Sequence, residues 1–295
     1  MSSPNSVGAS HGSAPGLRVV AQTLKPSEYV ALIDQAPTIA QLAGIELGSP
    51  AMPLWSLGFH PWQIESKAQA ERELAVFDQC LSGGVGADQG LGTGATRFIG
   101  EIGLDFAPRR LEQAGVELQK QVLRRILKTV CDAAKTSSSV GSTAHSPTND
   151  DARPYILSIH AVRSATAVLD LLEEQRVTEH NVAPIIHWFS GTSDELTRLV
   201  RLGGYVSVNP RMLETKRGRA YVKQVPSDRL LLETDMPASP VTSGKAQTAS
   251  AESVAQQIAR EIRDTLANTL ERISEIRGRN TGPDIERLQH RLFGK

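Results

Sequence analysis

Phe98-Ile-Gly-Glu101-Ile-Gly-Leu-Asp105 is an apolar run that carries two acidic residues where a buried strand would be ending. A carboxylate in such a setting needs a partner or a metal, because an isolated buried charge is costly. Six more runs rich in Val, Ile and Leu flank this one, so that the full set is residues 17–21, 54–59, 97–102, 155–159, 182–186, 204–208 and 229–232. Their slight polar alternation is that of strands buried on both faces. Amphipathic stretches lie between them. Residues 116–134 form a helix with Leu118, Val122, Leu123, Ile126, Leu127 and Val130 on one side. Residues 165–175 and 194–202 are shorter helices, the latter with Thr192, Ser193 or Asp194 as N-cap, and 254–276 is a long one.

Strands alternating with helices predict a parallel sheet with right-handed crossovers. An open doubly wound sheet accommodates seven strands. However, polar residues recur at the C-terminal ends of several different strands, and a TIM (β/α)8-type barrel places its site on that face. Leu57-Gly-Phe-His60-Pro closes the second run, Ile156-Leu-Ser-Ile-His160 the fourth, Ile185-Ile-His187-Trp-Phe-Ser-Gly191 the fifth and Leu231-Leu-Glu233-Thr-Asp235-Met-Pro237 the last. Eight strands are expected of such an α/β barrel and seven are found.

Imidazole nitrogens with carboxylate oxygens suit zinc, manganese or magnesium, one ion or two. Such ions polarise a phosphoryl oxygen and acidify a bound water. Glu101, His160, His187 and Asp235 are therefore candidate metal ligands, and His60 adds another imidazole.

Bulk composition narrows the function classes. The chain has 295 residues with 32 basic and 32 acidic side chains, so it lacks the basic excess of a high-affinity sequence reader of DNA. A nuclease that holds DNA through metal ions needs no such excess. Cys80 and Cys131 match no zinc spacing and are expected as reduced thiols. No apolar stretch approaches the roughly 20 residues that span a bilayer, and the first 16 residues contain no apolar core of a signal peptide. A cytoplasmic protein, monomeric by preference, is expected. Residues 1–16 read as a disordered segment and 17–295 as a single barrel domain. Gly- or Ser/Thr-rich flexible insertions are expected near 83–95, 135–153 and 238–252.

The ordered set of motifs resembles the TatD family of metal-dependent deoxyribonucleases. The Gly-Glu-Ile-Gly-Leu-Asp of residues 100–105 resembles the family's central signature, Gly58-Phe-His-Pro61 its Gly-x-His-Pro turn, His187-Trp-Phe-Ser-Gly191 its His/Cys-Phe-Ser-Gly block, and Leu231–Pro237 its Leu-x-Glu-Thr-Asp-x-Pro block. Gly203–Val208 fits the glycine-and-strand segment between them, and residues 288–293 resemble the closing helix. The resemblance implies a barrel hydrolase that cleaves phosphodiester bonds of DNA, single-stranded by preference and as a 3′-to-5′ exonuclease. It implies Glu101 as a bridging metal ligand, His160 and His187 on the second metal, and Asp235 on the first metal and as general base. His60 would contact substrate phosphate, and Glu233 would orient a ligand. Arg163 is a looser phosphate contact, since the family's arginine falls two residues after the equivalent of His160, where this chain has Val162. Asn209-Pro-Arg211 is a further candidate for the backbone.

One departure stands out. The family opens on a strand ending in Asp-x-His-x-His, whose two imidazoles grip the first metal, and no His-x-His occurs in this sequence. The chain enters the family pattern at Leu17-Arg-Val-Val-Ala-Gln-Thr, its second strand, and a frame lacking the first strand is the expectation. A small ester, amide or phosphotriester hydrolase on the same barrel, and a catalytically impaired scaffold, are the alternatives.

Overall fold

The computed structural model describes residues 19–43, 53–83, 96–140, 153–235 and 251–294. Seven strands occur among them: β1 (Val20–Gln22), β2 (Leu54–Phe59), β3 (Phe98–Asp105), β4 (Tyr155–Val162), β5 (Val182–His187), β6 (Tyr205–Val208) and β7 (Leu230–Leu232). All neighbours are parallel, and the sheet order is the chain order, β1 to β7. A doubly wound sheet reverses direction at a switch point. This one does not, and its steady progression is that of a (β/α) barrel.

The helices are α1 (Pro26–Ala43), α2 (Lys67–Leu81), α3 (Pro108–Gln113), α4 (Val116–Val140), α5 (Ala165–Glu174), α6 (Ser193–Leu202), α7 (Pro210–Glu214), α8 (Lys216–Gln224), α9 (Ala251–Arg277) and α10 (Gly282–Phe293). The predicted apolar face of α4 is buried, with Val122, Leu123, Ile126, Leu127 and Val130 packed into the core. Thr192 caps α6 through a capping box with Glu195. Residues 135–140, expected in a flexible insertion, instead extend α4. Once a helix is nucleated by its packed face, adding residues costs little. The insertion near 238–252 likewise gives up its last two residues to α9. The rest of the three insertions, residues 1–16, His11 and His145 lie outside the described residues, save the turn at Gly83 and Arg153.

Each strand sorts its side chains by period two. Leu57, Phe59, Ile99, Ile102, Leu104, Leu157, Ile159, Ile186, Val206 and Val208 face the helices and form the main core. The other face is stratified. Its floor is Phe98, Ile156, Ala183, Ile185, Tyr205 and Leu231, sealed by Leu288 and Leu292 of α10, with Phe293 stacked on Phe98. Arg97 fixes α10 there by donating to Leu292 O and Phe293 O. Above the floor the same alternation presents Gln22, Ser56, Ser158 and Ser207, and above these the titratable residues. The strands are therefore two-sided only in their upper halves, which is why their sequences read as continuously apolar.

Candidate metal centre

Glu101 owes its position to an irregularity in β3. The pairing steps from Leu57 to Phe59 on β2, and from Leu157 to Ile159 on β4, while β3 advances from Ile99 to Ile102. One extra residue is thus accommodated at Gly100-Glu101, a bulge of the kind that re-aims side chains beside functional sites. The Glu101 N–H donates to Thr23 O just past β1, 3.1 Å away. Gly58 makes this approach possible, because a Cβ there would lie 1.9 Å from the same Thr23 oxygen.

Three side chains converge from just past the end of β2, from the bulge of β3 and from the C-terminal half of β4. One ligand atom from each of His60, Glu101 and His160 lies within 4.8 Å of the others. Glu101 Oε1 is 3.3 Å from His160 Nδ1 and 3.7 Å from His60 Nε2. The other nitrogen of His160 is 3.2 Å from Asp105 Oδ2. Asp105 is itself clamped, accepting from Trp62 Nε1 at 2.7 Å and from Ala107 N at 2.8 Å. Fully buried Gln119 of α4 holds the Asp105 backbone, accepting from its N–H and donating to its carbonyl. A second centre lies at the ends of β5 and β7. His187 Nδ1 is 2.5 Å from Glu233 Oε2, and its Nε2 contacts the Ser158 hydroxyl. Glu233 also accepts from Ser207 Oγ and from Asn209 Nδ2. Asp235 sits half-exposed at the rim, 3.8 Å from Arg211. Arg163 is exposed at the turn after β4. His187 and Asp235 thus stand outside the His60–Glu101–His160 trio, although both lie within electrostatic range of Glu101.

Charges follow these contacts. Burial raises the pKa of Glu101, but the hydrogen bonds of His160 and His60 outweigh it and hold the carboxyl well below the usual range. Asp105 is held down against its own desolvation by His160 and Trp62. Burial lowers His187, yet the Glu233 carboxylate overcomes it and pushes the imidazole up to about 9. His160 is raised by Asp105 and Glu101 despite desolvation. His60 is lowered by burial. Asp235 is raised by burial and by the Glu233 and Glu101 carboxylates. His60 Nδ1 accepts from the Trp62 N–H at 3.1 Å. In the neutral ring the proton then resides on Nε2, the nitrogen that faces Glu101, and in that tautomer His60 is a donor toward the carboxylate.

Three of the five left-handed non-glycine residues among the described residues lie at the same mouth. Arg163, Trp188 and Asp235, which follow β4, β5 and β7, have φ of 55°, 38° and 55°. Left-handed non-glycine residues cost about 1–3 kcal/mol each and concentrate at functional sites. Sequence reading passed over Asp105 as a partner of His160, and also Trp62, Ser158, Ser207 and Gln119. Asp105 carried a signal, an acid ending the apolar run, but its partner could not be seen without the fold. A groove of about 390 Å³ lined by Leu24, Lys25, Ser27, Glu28 and Gln63 lies to one side and shares no residue with the cluster.

The TatD related DNase family model matches residues 153–282. A 3'-5' ssDNA/RNA exonuclease TatD from Musicola paradisiaca (strain Ech703) is 40% identical over 197 residues, 64% of this chain and 59% of that protein. A Deoxyribonuclease Tat-D from Schizosaccharomyces pombe is 28% identical over 185 residues, 62% of this chain and 50% of that protein. The chain spans about half the length of the curated relatives it matches. Among solved structures, YJJV, a TatD homolog from Escherichia coli K12, superposes with a TM-score of 0.61 at 19% identity, covering 94% of this chain and 86% of that one. An amidohydrolase from Saccharomyces cerevisiae gives 0.58 at 19% identity, covering 91% and 85%. Those structures share the barrel fold, and no helix among the described residues is long and apolar enough to cross a membrane. Over residues 153–282 the chain is thus similar to the TatD related DNase family, and it shares the fold of TatD homologues.

Proposed function

We propose that this protein is a metal-dependent hydrolase of phosphodiester bonds in DNA, acting on single strands. The observation that carries the proposal is the 3.3 Å approach of Glu101 Oε1 to His160 Nδ1 at the barrel mouth. Two ligands that each lie about 2.1 Å from one ion are separated by a little over 3 Å, so these atoms suit a divalent cation. Each candidate histidine also has its far nitrogen held by a carboxylate, Asp105 for His160 and Glu233 for His187, the arrangement that fixes the tautomer of a metal-binding imidazole. Glu101, His160, His187 and Asp235 would hold one or two Mg, Mn or Zn ions. The His-x-His pair of the family pattern is not in this sequence.

The bound ion would supply Lewis acidity and a water of lowered pKa. This chain's residues do the rest. Asp235, with its raised pKa at the rim, takes a proton from the attacking water. His60 offers its Nε2–H to a phosphate oxygen. Arg163 and Arg211 stand at the rim for neighbouring phosphates. Asp105 and Glu233 orient the imidazoles.

The test is hydrolysis of a labelled single-stranded oligonucleotide with Mg²⁺ or Mn²⁺, with EDTA, and in parallel with a p-nitrophenyl ester. Metal-dependent release of nucleotides is expected. Hydrolysis of the ester alone would turn the assignment to a small-molecule hydrolase, and inertness of a folded, metal-loaded protein would sink catalysis altogether.

Metal binding should also depend on pH. A ligand histidine must shed its proton, so affinity rises with pH until the group is deprotonated without help. For His187 that limit lies near 9. In metal-free protein the sign is opposite. A folded pKa above the unfolded value gives stability that is complete below about 6.5 and is lost as pH rises through 9. The increase in melting temperature on adding Mn²⁺ should accordingly grow between pH 6 and 9. A constant increase across that range would remove His187 from the ligand set.

A further inference from the structure

Large apolar side chains at the surface of the described residues are few: Leu42, at 84% exposure, Trp62, at 42%, and Trp188, at 38%. Leu42 is near the end of α1. The two tryptophans both belong to the mouth. Trp62 is two residues past His60 and Trp188 is the residue after His187. They follow β2 and β5, and between those strands lie only β3 and β4, which carry Glu101 and His160. The pair therefore brackets the cluster.

Neither ring is placed as a core residue would be. Trp62 is locked edge-on by its Nε1–H bond to Asp105 and by T-shaped contacts with His60 and His160 at 4.8 and 5.8 Å. Arg110 lies over its ring, 4.2 Å from the centroid. A rigid indole with a guanidinium above it is prepared to receive a flat π-system attached to an anion, with little entropy left to lose. Trp188 is held at the surface by a left-handed backbone, φ 38°, that a bulky residue adopts at a cost. Arg217, from α8, donates to Ser190 O in the same loop.

We infer that Trp62 and Trp188 are base-stacking platforms that seat unpaired nucleobases on either side of the scissile phosphate. This rests on the nucleic-acid reading of the site and gives it a substrate form. Every base has a face that stacks on an aromatic ring, so such platforms bind a strand without reading its sequence. Three strand spacings of about 4.8 Å separate β2 from β5, about 14 Å along the sheet. A duplex hides the faces of its bases. The ligand is a single strand of several nucleotides.

The experiment measures binding in EDTA, where no hydrolysis proceeds, by anisotropy of 5′-labelled (dT)12 and by quenching of tryptophan fluorescence. Wild-type protein should bind (dT)12 more tightly than a duplex of equal length, and its fluorescence should be quenched more by (dT)12 than by dTMP at equal nucleotide concentration. Trp188→Ala should weaken (dT)12 binding about tenfold, and Trp188→Phe should restore most of it. Trp62→Phe, which keeps an aromatic ring but deletes the bond to Asp105, should retain more (dT)12 binding than Trp62→Ala. Melting curves with and without Mn²⁺ identify any variant that has unfolded. Unchanged binding in both alanine variants overturns the inference, as does equal affinity for duplex. Wild-type protein that cleaves DNA with metal yet shows neither quenching nor binding in EDTA overturns the platforms and leaves the hydrolase standing. Absence of both binding and cleavage removes the two together.

Discussion

Glu101→Gln is expected to lower metal-dependent hydrolysis of a single-stranded oligonucleotide by at least about 10³-fold, which corresponds to about 4 kcal/mol of transition-state stabilisation. The change keeps size and shape and removes one negative charge. That charge is what a cation between Glu101 Oε1 and His160 Nδ1 would meet. It also faces the imidazoles of His60 and His160, and it raises His187. A neutral amide there competes poorly with water for a hard divalent ion. A graded companion tests the supporting contact. Asp105→Asn leaves every proposed ligand in place and alters the acceptor at His160 Nε2, of the bond from Trp62 and of the bond from Ala107 N. Metal affinity should fall about 10- to 100-fold, the usual effect of losing a group that orients a ligand. Titration calorimetry with Mn²⁺ and steady-state rates at saturating metal measure the two effects separately. If Glu101→Gln retained wild-type rates at saturating Mn²⁺, the centre would have to be elsewhere.

Gly103→Ala should cost about 4 kcal/mol of stability and lower the melting temperature by about 10 °C, taking about 2–4 °C per kcal/mol for a chain of this order of size. Gly103 pairs with His160 across the β3–β4 ladder, and its φ is +141°. An added Cβ would stand 2.0 Å from His160 O and under 3 Å from His160 N and C. These are backbone atoms, which no rotamer change can clear, so either β3 or β4 must move. Movement of His160 would separate it from Glu101 and Asp105, so metal affinity should drop with stability. Gly83→Ala provides the contrast. Its φ is also positive, +80°, but nothing lies within 4 Å of the added carbon. Only the conformational cost remains, about 1 kcal/mol. Thermal denaturation of both variants decides the matter. Equal melting temperatures would show that the close β3–β4 approach does not govern that glycine.

The predicted strands lie within a few residues of those observed because a buried strand leaves an uninterrupted apolar run, and residues 182–186 or 204–208 have no other reading. Helices were less legible. The residues of α4 that face the core repeat at helical spacing over several turns, whereas α2 buries only Ala70, Leu74, Phe77, Cys80 and Leu81 among many polar residues, and α1 is rich in alanine around an internal Pro37. Sparse faces of that kind are committed to helix by packing on the sheet more than by their own pattern.

His60, Glu101, His160, His187, Glu233 and Asp235 were all recognisable one strand at a time, since each is a polar residue interrupting or ending an apolar segment. Which of them meet was not. Period-two alternation tells which face of a strand a residue occupies, but the height at which it faces its neighbours depends on register, and register in β3 is set by the bulge at Gly100-Glu101. That single displaced residue brings Glu101 to His160 and leaves Asp105 to hold the other side of the ring. The sequence alone therefore determined the strands, their alternation with helices and the polar character of the strand ends, which follow from local periodicity and composition. The barrel was an expectation from those ends and the resemblance, and the structure gives the sequential order. Only the tertiary structure decided the pairing of carboxylate with imidazole, the tautomer of His60 through the Trp62 amide, and the placement of two tryptophans around the centre, because these arise from contacts between segments that no local pattern connects.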